Sequence, residues 1–264
     1  MFLCCFFFAY KKTETVKSNY QIVCLGDSIM GQVRDESSVT SRIASITGEP
    51  VLNGALGGTT MSRMDESRNL ANNKDGLSME SLALAIGYQD FAVQYNVNYN
   101  AFGQGTEYFR ETIDQLSQVD FSQTKIVIIG HGTNDYNGGI PITNVENSYD
   151  VYTFEGALRR SIETLQKQYS HLRILLVTPT YNWMVGMEKT CEEWNSGYGY
   201  LKDYVEVEIR LAEEYGIEVI DLYHDFYPKE QWEDWQLYTT DGIHPNEAGR
   251  NKIADYIASF LIEK

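Results

Sequence analysis

The chain has 264 residues, 43% of them hydrophobic and 22% charged, which excludes a disordered or fibrous protein and leaves room for one large α/β domain or two small ones. Lys and Arg number 21 against 37 Asp and Glu, a net charge of -16, which disfavours nucleic acid and anionic membrane surfaces as partners because both need clustered cations. The four cysteines, Cys4, Cys5, Cys24 and Cys191, include no CxxC pair and no Cys/His cluster of zinc-ligand spacing, so no metal is expected.

Met1 to Tyr10 form a dense apolar run, followed by Lys11, Lys12 and a polar stretch. Ten helical residues reach about 15 Å, half the hydrocarbon core of a bilayer, so the run is too short to span. It resembles the apolar region of a secretory signal that lacks its basic start, which favours an extracytoplasmic protein; the competing reading is an apolar element docked on the core of a cytoplasmic one. Residues 1–19 are therefore set apart from a single domain over residues 20–264.

From Gln21 onward, short runs rich in Val, Ile and Leu recur at Ile22–Leu25, Val51–Leu56, Lys125–Ile129, Arg173–Thr178 and Glu218–Leu222. They read as buried parallel strands. Cys24, inside the first, reads as a buried free thiol, whereas Cys191 lies in a polar segment with no evident partner. Between and after the strands come helical faces: Phe154, Ala157, Leu158, Ile162 and Leu165; Leu201, Tyr204, Val205, Ile209 and Ala212; Ile253, Tyr256, Ile257, Phe260 and Leu261. Strands alternating with helices predict an α/β fold, a parallel sheet covered on both sides. Ser62–Gln123 reads as a long crossover carrying an insertion, with helices near Leu82–Ile86 and Phe109–Leu116, that either shapes a pocket or decorates the surface.

In an open parallel sheet, ligands bind beyond the carboxyl ends of the strands. There the sequence places Gly26-Asp27-Ser28, then Gly57-Gly58-Thr59-Thr60, then Gly130-His131-Gly132-Thr133-Asn134-Asp135, and finally Asp241-Gly242-Ile243-His244-Pro245-Asn246 before the last helix. These are the parts acyl transfer requires. A serine hydroxyl needs a base, and His244 has a suitable pKa; Asp241, three residues earlier, can fix the imidazole tautomer. Ser28, at the head of a helical segment, Gly58, free of a Cβ, and the Asn134 amide can each donate to a developing oxyanion. Each piece alone is common; their order, each beyond a separate strand or before the last helix, is not.

The blocks LGDSI, NGALGGTT, GTNDY and DGIHPNEAG resemble the SGNH/GDSL hydrolase superfamily from about Gln21 to the end. That resemblance implies a single three-layer α/β/α domain whose five-stranded parallel sheet has flavodoxin-like order 2-1-3-4-5. It also implies roles: Ser28 as nucleophile, His244 as base, Asp241 as its orienting acid, and Gly58 and Asn134 as oxyanion donors with the Ser28 amide. Many relatives carry Ser-Gly-Asp where this chain has Gly57-Gly58-Thr59, and register with Asn53 and Thr60 points to Gly58. No GxSxG elbow and no phosphate-binding glycine loop follows a strand.

His131, Tyr136 and Trp183 are candidate substrate contacts, with a purely structural role for His131 the competing reading. Asp27 and Asp135 are expected to hydrogen-bond the loops around Ser28 and Asn134. His171 and His224 read as surface or loop histidines. The segment from Thr180 to Tyr200 carries many aromatics, suited either to enclosing a substrate or to packing under a long loop. The expected activity is a serine esterase acting through an acyl-enzyme on short acyl esters, with carbohydrate esters as a candidate class and no cofactor; the expected partner is a small-molecule or glycan ester. The alternatives are a lipid-directed lysophospholipase or thioesterase, and a non-catalytic glycan-binding module on the same fold.

Overall fold

A computed structural model describes residues 17–64 and 74–262, so the apolar run at 1–10 and part of the 62–123 crossover lie outside the described residues. Five parallel strands, β1 (Ile22–Gly26), β2 (Val51–Asn53), β3 (Ile126–Gly130), β4 (Arg173–Val177) and β5 (Glu218–Ile220), form one sheet in the order β2-β1-β3-β4-β5. β1 is wholly buried, and β3 and β4 are buried at all but their first residue. Residues that alternate between the two faces are thus all removed from water, which is why these strands read as unbroken apolar runs.

The helices are α1 (Ser28–Gly31), α2 (Val39–Thr47), α3 (Met79–Tyr88), α4 (Ala92–Asn96), α5 (Phe109–Ser117), α6 (Thr133–Asn137), α7 (Phe154–Gln168), α8 (Leu201–Tyr215), α9 (Trp235–Tyr238) and α10 (Glu247–Ile262). α10 packs on α2, and Arg42 of α2 grips Asp255 of α10 through Nε and Nη2 at 2.5 and 2.8 Å. α7 packs on α3 and α8, where Arg159 bridges Glu155 and Glu214. The predicted apolar face of α7 is entirely buried, and the Thr153 hydroxyl starts the helix by accepting the Gly156 N–H. Among the described residues no helix is long and apolar enough to cross a membrane.

Two details differ from the sequence reading. β2 ends at Asn53 rather than Leu56, because the chain turns irregular while Gly54 and Leu56 still donate N–H bonds to Cys24 and Gly26 of β1. On α10, Tyr256 is exposed, and the small residues Ala254 and Ala258 are buried in its stead.

The register at the sheet's carboxyl edge positions everything that follows. Gly26 pairs with Gly130, and a Cβ on Gly26 would lie 2.8 Å from the Gly130 carbonyl oxygen. Two glycines at the strand ends therefore let the Asp27-Ser28 and His131-Asn134 segments leave the sheet side by side.

Candidate active site

Ser28 is the first residue of α1, immediately beyond β1, and is half-buried. Its Oγ lies 3.0 Å from His244 Nε2, and His244 Nδ1 lies 2.7 Å from Asp241 Oδ2. Asp241 Oδ1 also accepts the N–H groups of Ile243 and His244 at 3.0 and 2.8 Å, so one carboxylate holds both the turn and the ring. Burial opposes ionisation of Asp241, but the hydrogen bonds from the His244 ring and from these two amides outweigh it and keep the carboxyl below its ordinary range. An ionised Asp241 takes the Nδ1–H, which leaves the Nε2 lone pair to accept the Ser28 hydroxyl proton.

The turn that carries Asp241 and His244 is held from three sides. The Gly242 carbonyl accepts the Trp183 N–H at 2.9 Å, and the Gly242 N–H donates to Thr239 Oγ1 at 3.0 Å. Gly242 has φ +91°, and a Cβ there would lie 2.1 Å from the Trp183 carbonyl oxygen, so only glycine fits. Asn246 accepts the Gly249 N–H at the start of α10 and donates to the carbonyls of Gln236, Leu237 and Thr239.

Among the described residues, neither the Ser28 nor the Gly58 N–H donates to a protein atom, whereas the Gly57 N–H is taken by Tyr108 Oη at 2.9 Å. Asn134, near the start of α6, donates one Nδ2–H to the Thr59 carbonyl at 2.9 Å, with a longer contact of 3.4 Å to Asp27 Oδ2. A neutral amide nitrogen has two hydrogens, so one fixes the side chain to the glycine loop and the other makes the longer bond to Asp27. α1 is only four residues long, so the Ser28 amide acts locally rather than through a long helix dipole.

Beneath this surface the loops are tied by buried polar groups. Asp27 Oδ1 accepts the Ile29 N–H at 2.9 Å, and burial pushes its carboxyl up to about 7. Asp135 accepts the N–H groups of Met61 and Ser62 at 2.8 and 3.1 Å and the Ser62 hydroxyl; burial raises it to about 6. It therefore holds the loop after β2 as well as lying beside Asn134. His131 is fully buried, with Nε2 3.3 Å from the Thr59 hydroxyl, and desolvation lowers it to about 3, so the ring is neutral.

The structure places all three candidate substrate contacts out of solvent. His131 is 1% exposed and braces the glycine loop from inside; Tyr136 is 0% exposed and donates its hydroxyl to the Trp194 carbonyl at 2.7 Å; Trp183 is 2% exposed and holds Gly242 through its backbone. Their rings complete the core under the loops. His224 is also more than a lone loop histidine: Asp221 Oδ2 meets its Nδ1 at 2.7 Å, and Asp221 Oδ1 accepts the Tyr223 and His224 N–H groups, the same arrangement as Asp241 and His244. This second pair lines a separate open cavity of about 750 Å³. Cys191 is buried too, accepting the Asn182 N–H on sulfur. Among the described residues no group of three or more His, Cys, Asp or Glu side chains is arranged to hold a metal ion.

Residues 83–252 match the sequence model of the GDSL-like Lipase/Acylhydrolase family, a span that includes Asn134, Asp241 and His244. The chain belongs to this family. As a family member it also shares its fold with solved structures across nearly the whole chain. A protein from Lactobacillus plantarum is 20% identical with TM-score 0.66, covering 93% of this chain and 98% of its own. A possible lipase from Chitinophaga pinensis is 16% identical with TM-score 0.58, covering 92% and 97%. A carbohydrate acetylesterase from Sinorhizobium meliloti is 17% identical with TM-score 0.57, covering 92% and 98%. At such identities the likeness shows the fold. No curated protein matches the chain significantly.

Two predictions follow from the geometry of this GDSL-family site. Gly242→Ala, forced into a left-handed conformation against the Trp183 carbonyl, is expected to displace His244 and lower kcat at least about tenfold, measured by steady-state ester hydrolysis. Wild-type turnover in that variant contradicts the role given to the turn. The second concerns pH. Because burial raises the folded-state pKa of Asp27 from 3.8 to about 7, the fold favours its protonated form; that stabilisation is complete below 3.8 and is lost as pH rises toward about 7. Asp27→Asn still accepts the Ile29 N–H and cannot ionise. Urea unfolding at a series of pH values should show a shallower loss of stability over this range than in the wild type, and parallel curves refute the assignment.

Proposed function

We propose that this GDSL-family protein is a serine esterase that cleaves short acyl esters through an acyl-enzyme. The observation that carries the reading is the continuous hydrogen-bonded line from Ser28 Oγ through His244 to Asp241, with a Ser28 amide that donates to no protein atom among the described residues.

In the proposed reaction His244 Nε2 removes the Ser28 proton as Oγ attacks the ester carbonyl carbon. The carbonyl oxygen becomes an oxyanion held by the Ser28 N–H, the Gly58 N–H and the Asn134 Nδ2–H that exchanges its long bond to Asp27 Oδ2 for the substrate. The tetrahedral intermediate collapses, the carbon–oxygen bond to the alcohol breaks, and His244 returns the proton to the leaving oxygen. A water molecule, deprotonated by His244, then attacks the acyl-enzyme and releases the carboxylic acid. Asp241 stays ionised throughout and stabilises the imidazolium.

One feature favours a small acyl group and another a polar leaving group. The Phe102 ring reaches within 3.7 Å of the position a Cβ on Gly58 would take, and Tyr108 stands against Gly57, so aromatic side chains of the crossover crowd the oxyanion side. A polar groove of about 590 Å³, lined in part by Arg63, Asn144, Tyr152 and Tyr198, adjoins the end of α6 at Gly138 and suits a hydroxylated leaving group such as a sugar. The structural likeness to a carbohydrate acetylesterase is in keeping with that class. The net charge of -16 favours a neutral ester over a polyanionic one.

Ser28→Ala is expected to lower hydrolysis of p-nitrophenyl acetate at least about a thousandfold while leaving the thermal unfolding transition in place. Retained turnover contradicts the reading. Across a series of p-nitrophenyl esters, kcat/KM should fall as the acyl chain lengthens; a rise beyond about eight carbons, where each added methylene gains apolar burial, indicates a lipid acyl substrate instead.

A further inference from the structure

The crossover between β2 and β3 brings one side chain into the site that none of the four motif blocks contains. Tyr108 precedes α5, packs edge-on against Phe109 with ring centroids 4.9 Å apart, and accepts the Gly57 N–H on its hydroxyl oxygen at 2.9 Å. Arg34, six residues after Ser28, lies over its ring at 4.4 Å. The same guanidinium donates to the carbonyls of Gly31, Asn53 and Ala55 at 3.2, 2.5 and 3.2 Å. Tyr108 is thereby fixed against both the nucleophile segment and the glycine loop.

A phenol that accepts an N–H still has its own proton to place. Among the described residues no protein atom accepts the Tyr108 O–H. Desolvation, opposed by the Gly57 N–H and Arg34, raises the phenol above its ordinary range, so it keeps that proton at neutral pH. The direction open to it is set by Gly57. A Cβ on Gly57 would lie 3.2 Å from Tyr108 Oη and 3.6 Å from Ser28 Cβ, so the empty side-chain position of this glycine is a gap in contact with both the phenol and the nucleophile. Gly57 does not have the positive φ of its neighbour Gly58, and what excludes a larger residue there is the space.

We propose that Tyr108 is a further catalytic residue, its O–H reaching across the gap left by Gly57 to donate a fourth hydrogen bond to the ester oxygen that becomes the oxyanion at Ser28. The inference rests on the esterase reading and deepens it: one phenol both fixes the glycine loop, by accepting the Gly57 N–H, and stabilises the transition state, by donating. No bond to Tyr108 forms or breaks during turnover, and its proton stays on the phenol oxygen. The crossover is then part of the catalytic apparatus rather than surface decoration.

The test separates donating from accepting. Tyr108→Phe is expected to lower kcat for p-nitrophenyl acetate by roughly tenfold or more with KM within about twofold of wild type, the pattern of a contact made chiefly in the transition state. A second protein carries at position 108 a fluorinated tyrosine whose phenol ionises near neutral pH. Its phenolate still accepts the Gly57 N–H but has no proton to donate, so kcat should drop as pH rises through that ionisation while the wild type holds its rate. A Tyr108→Phe variant with unchanged kcat, or a fluorotyrosine protein whose rate ignores the ionisation, overturns the proposal; the latter leaves Tyr108 as a loop support alone. An inactive wild type refutes the esterase reaction and this inference with it, whereas an active wild type beside an equally active Tyr108→Phe variant refutes only the role of Tyr108.

Discussion

A hydroxyl and an imidazole 216 residues apart in the chain meet at 3.0 Å, and the rest of the architecture is arranged around keeping that contact. Ser28 is fixed by a strand that pairs on both edges, with its last residue against Gly130. His244 is fixed by a turn rather than by a strand, so its position depends on the Asp241 carboxylate, on the backbone grip of Trp183 on Gly242, and on Asn246 tying the start of α10 to α9. α10 in turn packs on α2, which follows the nucleophile segment in sequence. A chain of short contacts therefore returns from the histidine to the serine through the helical layer.

The loops at the carboxyl edge are held by buried polar side chains. Desolvation raises Asp27 and Asp135 toward the neutral range and keeps His131 uncharged. Asp241, beside the imidazole, is instead held below its ordinary range by the hydrogen bonds it accepts.

Much of this was legible in the sequence because it is local. Strand positions, the DxxH spacing and the run of glycines are set by neighbours within a few residues, so the place of Ser28, Asp241 and His244 beyond the strands could be read from motif order, whereas the sheet order came from the resemblance of the motif blocks to a known family. What escaped depends on distant contacts. Tyr136 and Trp183 sit in polar segments that look exposed by composition, yet their rings fill the core, and only the tertiary fold shows that packing. Tyr108 lies in a polar aromatic stretch with no motif, and its bond to Gly57 spans 51 residues. The Asp221-x-x-His224 pair did carry a signal, since its spacing repeats that of Asp241 and His244.

The most direct measurement is the reaction of the protein with a fluorophosphonate, followed by intact-mass analysis and mapping of the modified peptide. The account predicts a single adduct per chain, on Ser28, formed much more slowly in His244→Ala because the hydroxyl then lacks its base. No adduct, an adduct on another residue, or labelling indifferent to His244 contradicts it.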